Sequence, residues 1–214
     1  MKIMIASIKG GTGKSTTVAN IATRLAKLGR EVCILDSDRQ PSASTWIHDR
    51  EEAGITPAIL CVQKFDNIRD SVISLGEKYQ DILVDVGGRD SKAMRTGLTA
   101  VDLVIVTSKA SQLDLDTIPM MIEIIEAAKD FNSGLKVLGL ITMAPTGFLN
   151  KEKKETRDYF ADYPEITLLK SIIHERKIYR DSMSNGLSVC ESNNSKARNE
   201  IELLVNEILS YAKA

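Results

Sequence analysis

The chain has 214 residues, 43% of them hydrophobic and 27% charged, with 28 Lys and Arg against 29 Asp and Glu. This composition predicts one globular domain spanning residues 1–214 and excludes a disordered tail. The formal charge of -1 excludes a global attraction to nucleic acid or membrane, so any such binding requires a local patch. Aromatic residues make up 5%, too few for a base-stacking platform. No apolar run approaches the roughly 18 residues of a membrane span, and the short run after Lys2 passes into glycines, unlike a secretory leader. Cys33, Cys61 and Cys190 are odd in number and far apart, which reads as three reduced thiols and a cytoplasmic location.

In chain order, short β-rich runs are predicted at Lys2–Ser7, Glu31–Asp36, Ala58–Val62, Asp81–Asp85, Leu103–Thr107, Lys136–Met143 and Ile166–Leu169. Helical patterns lie between them, notably Lys14–Leu28, Asp66–Tyr79, Thr117–Asp130 and Asn150–Tyr163. Strands such as Ile82–Val84 and Leu103–Val106 are continuously apolar, as expected where helices cover both sheet faces. The alternation predicts an α/β fold with a doubly wound, mostly parallel sheet. The final segment, Lys196–Ala214, carries Ile201, Leu204, Val205, Ile208 and Leu209 at helical spacing, with Glu200, Glu202, Asn206 and Glu207 on its other face. A membrane-surface helix would place Lys and Arg there, so this one is expected to pack on the sheet.

The strongest motif follows the first strand: Ile8-Lys9-Gly10-Gly11-Thr12-Gly13-Lys14-Ser15-Thr16, then a helix. Glycines at 10, 11 and 13 allow backbone N–H groups to converge on phosphate oxygens, and the helix start adds its positive dipole end. Lys14 is expected to reach the β- and γ-phosphates and Ser15 to hold Mg2+. Ile8 stands where a strict P-loop has its first glycine, and Lys9 adds a second lysine before the glycines.

Acids gather at the ends of later strands. Asp36 and Asp38 are spaced i, i+2 at the end of the second strand, so both can face the crevice above the sheet, one toward the Mg2+ shell and one toward an attacking water. The run Asp81-Ile82-Leu83-Val84-Asp85 ends on an acid as a Walker B strand does, placing Asp85 toward Mg2+ through water, and Gly87-Gly88 can follow the γ-phosphate. Arg176, Lys177 and Arg180 fall within five residues, and Lys196 and Arg198 open the last helix; together they are a candidate surface for DNA phosphates. His48 and His174 read as lone histidines without a partner.

The Lys-Gly-Gly-x-Gly-Lys-Ser loop resembles the deviant Walker A ATPases, the ParA/MinD group. The resemblance implies a P-loop NTPase that binds ATP and Mg2+ and hydrolyses ATP slowly, with a catalytic set of Lys9, Lys14 and Asp38. Lys9 would cross a dimer interface to the partner's nucleotide. Asp36-Ser37-Asp38-Arg39-Gln40-Pro41 resembles the group's DxDPQ box, implying Asp38 as the water-positioning residue and Asp36 as its metal-side neighbour; Arg39 replaces the usual proline. Ser108–Leu115 resembles the segment after strand five, with Lys109 and Gln112 in place of prolines, and Thr142-Met143 matches where the group holds adenine. Ser171–Arg180 and the Gly186-x-x-x-x-Glu191 box resemble later segments of the same group.

The resemblance covers nearly the whole chain and is nearest to short plasmid-type ParA partition proteins. It implies a nucleotide-switched homodimer on nonspecific DNA, stimulated by a ParB-like or small ribbon-helix-helix adaptor bound at a centromere. Without an N-terminal DNA-reading extension, operator-specific autorepression is not expected. A cousin that positions transfer DNA or a protein cluster is the nearest alternative. A MinD-like membrane-cycling regulator is disfavoured by the acidic face of the last helix, a nitrogenase-type iron protein by the cysteine positions, and a metabolic P-loop enzyme by Lys9.

Overall fold

The computed structural model describes residues 1–147 and 150–213. In chain order the elements are β1 (Lys2–Ala6), α1 (Lys14–Lys27), β2 (Val32–Asp36), α2 (Ser42–Glu52), β3 (Leu60–Gln63), α3 (Arg69–Lys78), β4 (Asp81–Asp85), α4 (Lys92–Leu98), β5 (Leu103–Ser108), α5 (Gln112–Leu115), α6 (Ile118–Lys129), β6 (Lys136–Ala144), α7 (Asn150–Ala161), β7 (Thr167–His174), α8 (Lys177–Met183), a 3-10 turn (Val189–Glu191) and α9 (Ser195–Lys213). Among the described residues the strands form one seven-stranded sheet in the order β3-β2-β4-β1-β5-β6-β7, every neighbouring pair parallel.

The period-2 alternation of strand side chains divides the interior into two cores. Ile3, Ile5, Ile34 and Leu83 face one side, where they meet Val18, Ile21 and Leu25 of α1 and Ile201, Leu204, Val205 and Ile208 of α9. Met4, Ala6, Leu35 and Val84 face the other side, against α4 and α6. Each aliphatic side chain buried in this way contributes roughly 1.5–3 kcal/mol against exposure. In register, Asp36 lies beside Asp85 and Ile5 beside Asp85, so β1, β2 and β4 end together on one edge of the sheet. The loops that leave this edge are where ligands of open α/β sheets bind.

All seven predicted strands are present, and the sheet is wholly parallel. β7 extends to His174, five residues past its predicted end. The polar residues that end the apolar pattern are accommodated because α9 satisfies the strand's edge: Glu207 accepts from the amides of Lys170 and Ser171 at 2.8 and 2.9 Å, and Glu200 accepts from that of His174 at 3.2 Å. Two carboxylates of the supposed outward face of α9 therefore blunt an edge strand. Glu200 also accepts from His174 Nδ1 at 3.0 Å, and His48 lies 3.4 Å from Glu52, so neither histidine is lone.

α2 and α4 have no counterpart among the notable sequence patterns. α2 buries Ala43, Trp46 and Ile47 together with an arginine, Arg50, which no hydrophobic periodicity reveals. Arg50 donates to Glu191 at 2.7 and 2.8 Å, to the Pro57 carbonyl and to the Gly186 carbonyl. Gly186 has φ +66° and passes so near α2 that a Cβ would fall 2.5 Å from the Arg50 nitrogen. The Gly186-x-x-x-x-Glu191 spacing is thus a docking device: glycine admits the backbone and glutamate neutralises the buried guanidinium.

Candidate functional site

The turn between β1 and α1 curls over the sheet edge with Gly11 and Gly13 at φ +70° and +77°, a region that favours glycine. Gly13 is the N-cap of α1; no side chain caps the helix and its first turn carries no acid. Its leading N–H groups and positive dipole end are therefore available to an anion. Gly10, Gly11, Gly13, Lys14, Ser15 and Thr16 line a crevice of about 1230 Å³ together with Asp38, Gly87 and Gly88.

Beneath the loop runs a buried polar chain. Lys14 Nζ donates to Ser7 Oγ at 3.2 Å and to the Lys9 carbonyl at 3.3 Å. The Ser7 and Thr12 hydroxyls lie 2.9 Å apart, as do those of Thr12 and Thr107. Thr142 donates to the Thr12 carbonyl at 2.7 Å. Thr12 and Thr142 thus brace the loop from below, and Met143, with φ +51°, packs its side chain beside Gly13. Ser7 and Thr107 were not legible as site residues, since a hydroxyl at a strand end carries no sequence signal of its own. Burial lowers the Lys14 pKa, while the charges of Asp85 and Asp38 oppose that shift.

The three acids are brought together but used differently. Asp36 is fully buried and accepts from the Asp38 amide at 3.1 Å and from the Ser44 amide and hydroxyl at 2.9 and 2.6 Å. It caps α2 and fixes the turn that presents Asp38. Asp38 is half-buried at the crevice, with its carboxylate near Gly87 and accepting from the Gln40 amide at 3.0 Å. Asp85 is fully buried, and among the described residues neither of its oxygens finds a hydrogen-bond partner of ordinary geometry. Burial, with Asp36 and Asp38 adding repulsion, pushes its pKa up to about 7, while Ser15 and Lys14 draw it back.

An orphaned buried carboxylate beside the Ser15 hydroxyl fits a hard cation such as Mg2+. Among the described residues no three His, Cys, Asp or Glu side chains converge on a metal-sized site. A cation here would take its remaining ligands from phosphate and water.

Gly88 packs on the loop so closely that a Cβ would lie 2.5 Å from the Lys9 carbonyl oxygen. Lys9 itself leaves the loop in the opposite sense: its Nζ donates to the Leu113 carbonyl at 2.9 Å and lies 3.7 Å from Asp114. The two lysines of the motif therefore occupy different sides of the loop.

The basic residues of the C-terminal third do not form one free cluster. Arg176 donates to Glu200 at 2.7 and 3.0 Å, beside Tyr179 and His174, and serves the packing of α9 on β7. Lys177 pairs with Asp181 at 3.0 Å, and Arg180 lies 3.5 Å from Glu175 while lining the rim of the crevice. Lys196 and Arg198 are exposed on α9.

Residues 3–189 match the family model of the CobQ/CobB/MinD/ParA nucleotide binding domain. The chain is 26% identical over 213 residues to the Maintenance of carboxysome distribution protein A of Halothiobacillus neapolitanus, covering 97% of this chain and 95% of that protein. It shares its fold with a Borrelia burgdorferi B31 protein described as a plasmid partition protein and solved with AMPPNP (TM-score 0.76, 20% identity, 98% of each chain). The septum site-determining protein MinD of Pyrococcus horikoshii, complexed with Mg-ADP, superposes with a TM-score of 0.74 at 20% identity, over 100% of this chain and 98% of that one. A family match over most of the chain, on a phosphate-type turn with Lys14 and Ser15 at its crevice, makes this chain a member of the CobQ/CobB/MinD/ParA nucleotide-binding family.

Proposed function

We propose that the chain is an ATP-hydrolysing switch, one ATPase domain over residues 1–214, that dimerises with ATP and then binds DNA without regard to sequence. The observation that carries this reading is the division between the two lysines: Lys14 under the phosphate loop, Lys9 held outside it by Leu113 and Asp114. A lysine facing away from its own crevice is positioned to meet phosphate held by a second copy across a C2 interface.

The residues then have distinct duties. The loop amides of Gly10–Gly13 and Lys14 bind the phosphates, with Ser15 and Asp85 toward Mg2+ and Asp36 behind them as the fixed support of Asp38. When bound, Mg2+ supplies charge neutralisation between the phosphates. Asp38 orients the attacking water at the crevice. Thr142 and Met143 hold the loop's far side, where adenine is expected.

The cargo we infer, from the resemblance of the chain to short plasmid-type partition proteins, is a plasmid, engaged through a centromere-bound adaptor of the ParB-like or ribbon-helix-helix kind, in a cytoplasmic protein associated with the nucleoid. A protein cluster as cargo is the second reading, favoured by the near full-length similarity to the carboxysome distribution protein. Among the described residues no helix is long and apolar enough to cross a membrane.

The test is sedimentation and DNA binding of the full chain with ATP, ADP and no nucleotide, on random and plasmid sequences. An ATP-dependent dimer whose DNA affinity is equal for all sequences and falls steeply with salt is expected. Equal DNA affinity in all three nucleotide states rejects the switch. Absence of DNA binding with ATP-dependent binding to anionic vesicles points instead to a membrane-cycling regulator.

A further inference from the structure

Four guanidinium groups stand around the crevice and its flank, and three already have acids. Arg39 lies 3.4 Å from Asp66 and over the Phe65 ring, Arg180 lies 3.5 Å from Glu175, and Arg95 makes two 2.7 Å bonds to Asp90. Arg89 differs. Its side chain is exposed and makes no hydrogen bond or ion pair among the described residues, because its sequence neighbour Asp90 is taken by Arg95.

Arg89 is also held in place by its backbone. Its amide donates to the Gly87 carbonyl at 2.9 Å, forming a tight turn, and the two glycines before it are wedged against the site. Gly87 abuts the Asp38 carboxylate and Gly88 abuts the backbone of Lys9 and Gly10. Arg89 consequently lines the main crevice and also a side chamber of about 190 Å³ shared with Ser37 and Asp38. An unneutralised guanidinium on a short turn between a phosphate loop and a water-positioning acid, with Asp66 and Asp90 of the same chamber already paired to Arg39 and Arg95, is available to a phosphate oxyanion.

We propose that Arg89 binds the terminal phosphate of the nucleotide held by its own chain, and so sets the preference for triphosphate over diphosphate. This rests on the nucleotide reading of the crevice. The loop amides take the α- and β-phosphates, which both nucleotides share, and Lys14 bridges the β- and γ-phosphates. Arg89 enters from the Asp38 side, where the γ-phosphate is expected, and a diphosphate offers it nothing to grip. A fork of five donors suits that oxyanion better than the point charge of lysine.

The experiment is calorimetric binding of AMPPNP and ADP, each with Mg2+, to the full chain and to Arg89→Ala, Arg89→Lys and Lys14→Ala. Arg89→Ala is expected to weaken AMPPNP by roughly 10-fold or more while leaving ADP within about twofold, on the scale of a lost hydrogen bond to a charged group. Arg89→Lys is expected to restore part of the loss. The same loss in a Lys9→Ala background places Arg89 on its own subunit's nucleotide. Unchanged AMPPNP affinity, or equal weakening of both nucleotides, overturns the proposal, as does a loss that vanishes in the Lys9→Ala background. If wild type binds neither nucleotide, or Lys14→Ala binds both normally, the crevice reading itself has failed, and the proposal is overturned with it.

Discussion

Lys9 donates to the carbonyl of Leu113, 2.9 Å away across 104 residues of sequence, and this contact ties the phosphate loop to α5. The same segment is linked onward, since Tyr159 of α7 donates to the Leu115 carbonyl at 3.0 Å. The Lys9 side chain is itself 41% exposed and lies 3.7 Å from the Asp114 carboxylate, a loose hold that a closer anion can replace.

Lys9→Ala is expected to separate nucleotide binding from assembly. Monomer ATP affinity should stay within about threefold, because the side chain points away from its own crevice. ATP-dependent dimerisation should weaken by roughly 10-fold or more, the scale of one charge-assisted contact. Light scattering across a concentration series checks this, and a dimer of normal strength would contradict the assignment of Lys9.

Asp38→Ala should preserve ATP binding while slowing single-turnover hydrolysis by roughly 100-fold or more, the scale of losing a positioned acid–base group. Among the described residues the half-buried Asp38 carboxylate accepts only from the Gln40 amide, whereas Asp36 carries the structural bonds to Ser44. Asp36→Ala should for that reason lower stability as well as activity, which thermal unfolding will separate.

Asp85 predicts a pH dependence of definite sign. Its pKa in the folded protein is about 7, raised by burial from the ordinary 3.8. Between about pH 4 and pH 7 the folded state keeps a proton that the unfolded chain has released, so this group's contribution is greatest at the acid end, falls as pH rises, and is gone above pH 7. Urea midpoints of the nucleotide-free protein should therefore fall from pH 5 to pH 7 more steeply than those of Asp85→Asn. Binding of Mg2+ with ATP at pH 7 should release on the order of half a proton, a quantity read by calorimetry in buffers of different ionisation enthalpy. Proton release equal to that of Asp85→Asn would remove the carboxylate from the metal shell.

Arg50 and Glu191 are 1% and 8% exposed, a buried pair whose interruption strands a charge. Glu191→Gln should cost roughly 3–5 kcal/mol, or about 10 °C in Tm for a chain of this size. Combining Arg50→Met with Glu191→Leu should recover much of that loss, because both charges leave together. Thermal unfolding of the single and double variants decides it.

Features that rest on short-range chemistry are legible in the amino-acid pattern alone. The seven strands follow from apolar runs, the phosphate loop from three glycines and a lysine at fixed offsets, and the packing of α9 from its stripe of Ile201, Leu204, Val205 and Ile208. Whatever depends on partners distant in sequence is settled by the folded arrangement. Residue pattern cannot tell that Asp36 caps α2 while Asp85 stays unsatisfied, since both are acids ending apolar strands and differ only in what folds against them. Nor can it tell that Arg176 is spent on Glu200 while Arg89 is left free, because a charge is neutralised through space and not along the chain. His174, Glu200 and Glu207 show the same limit: their roles arise where α9 meets the open edge of β7, a juxtaposition that only the finished sheet creates.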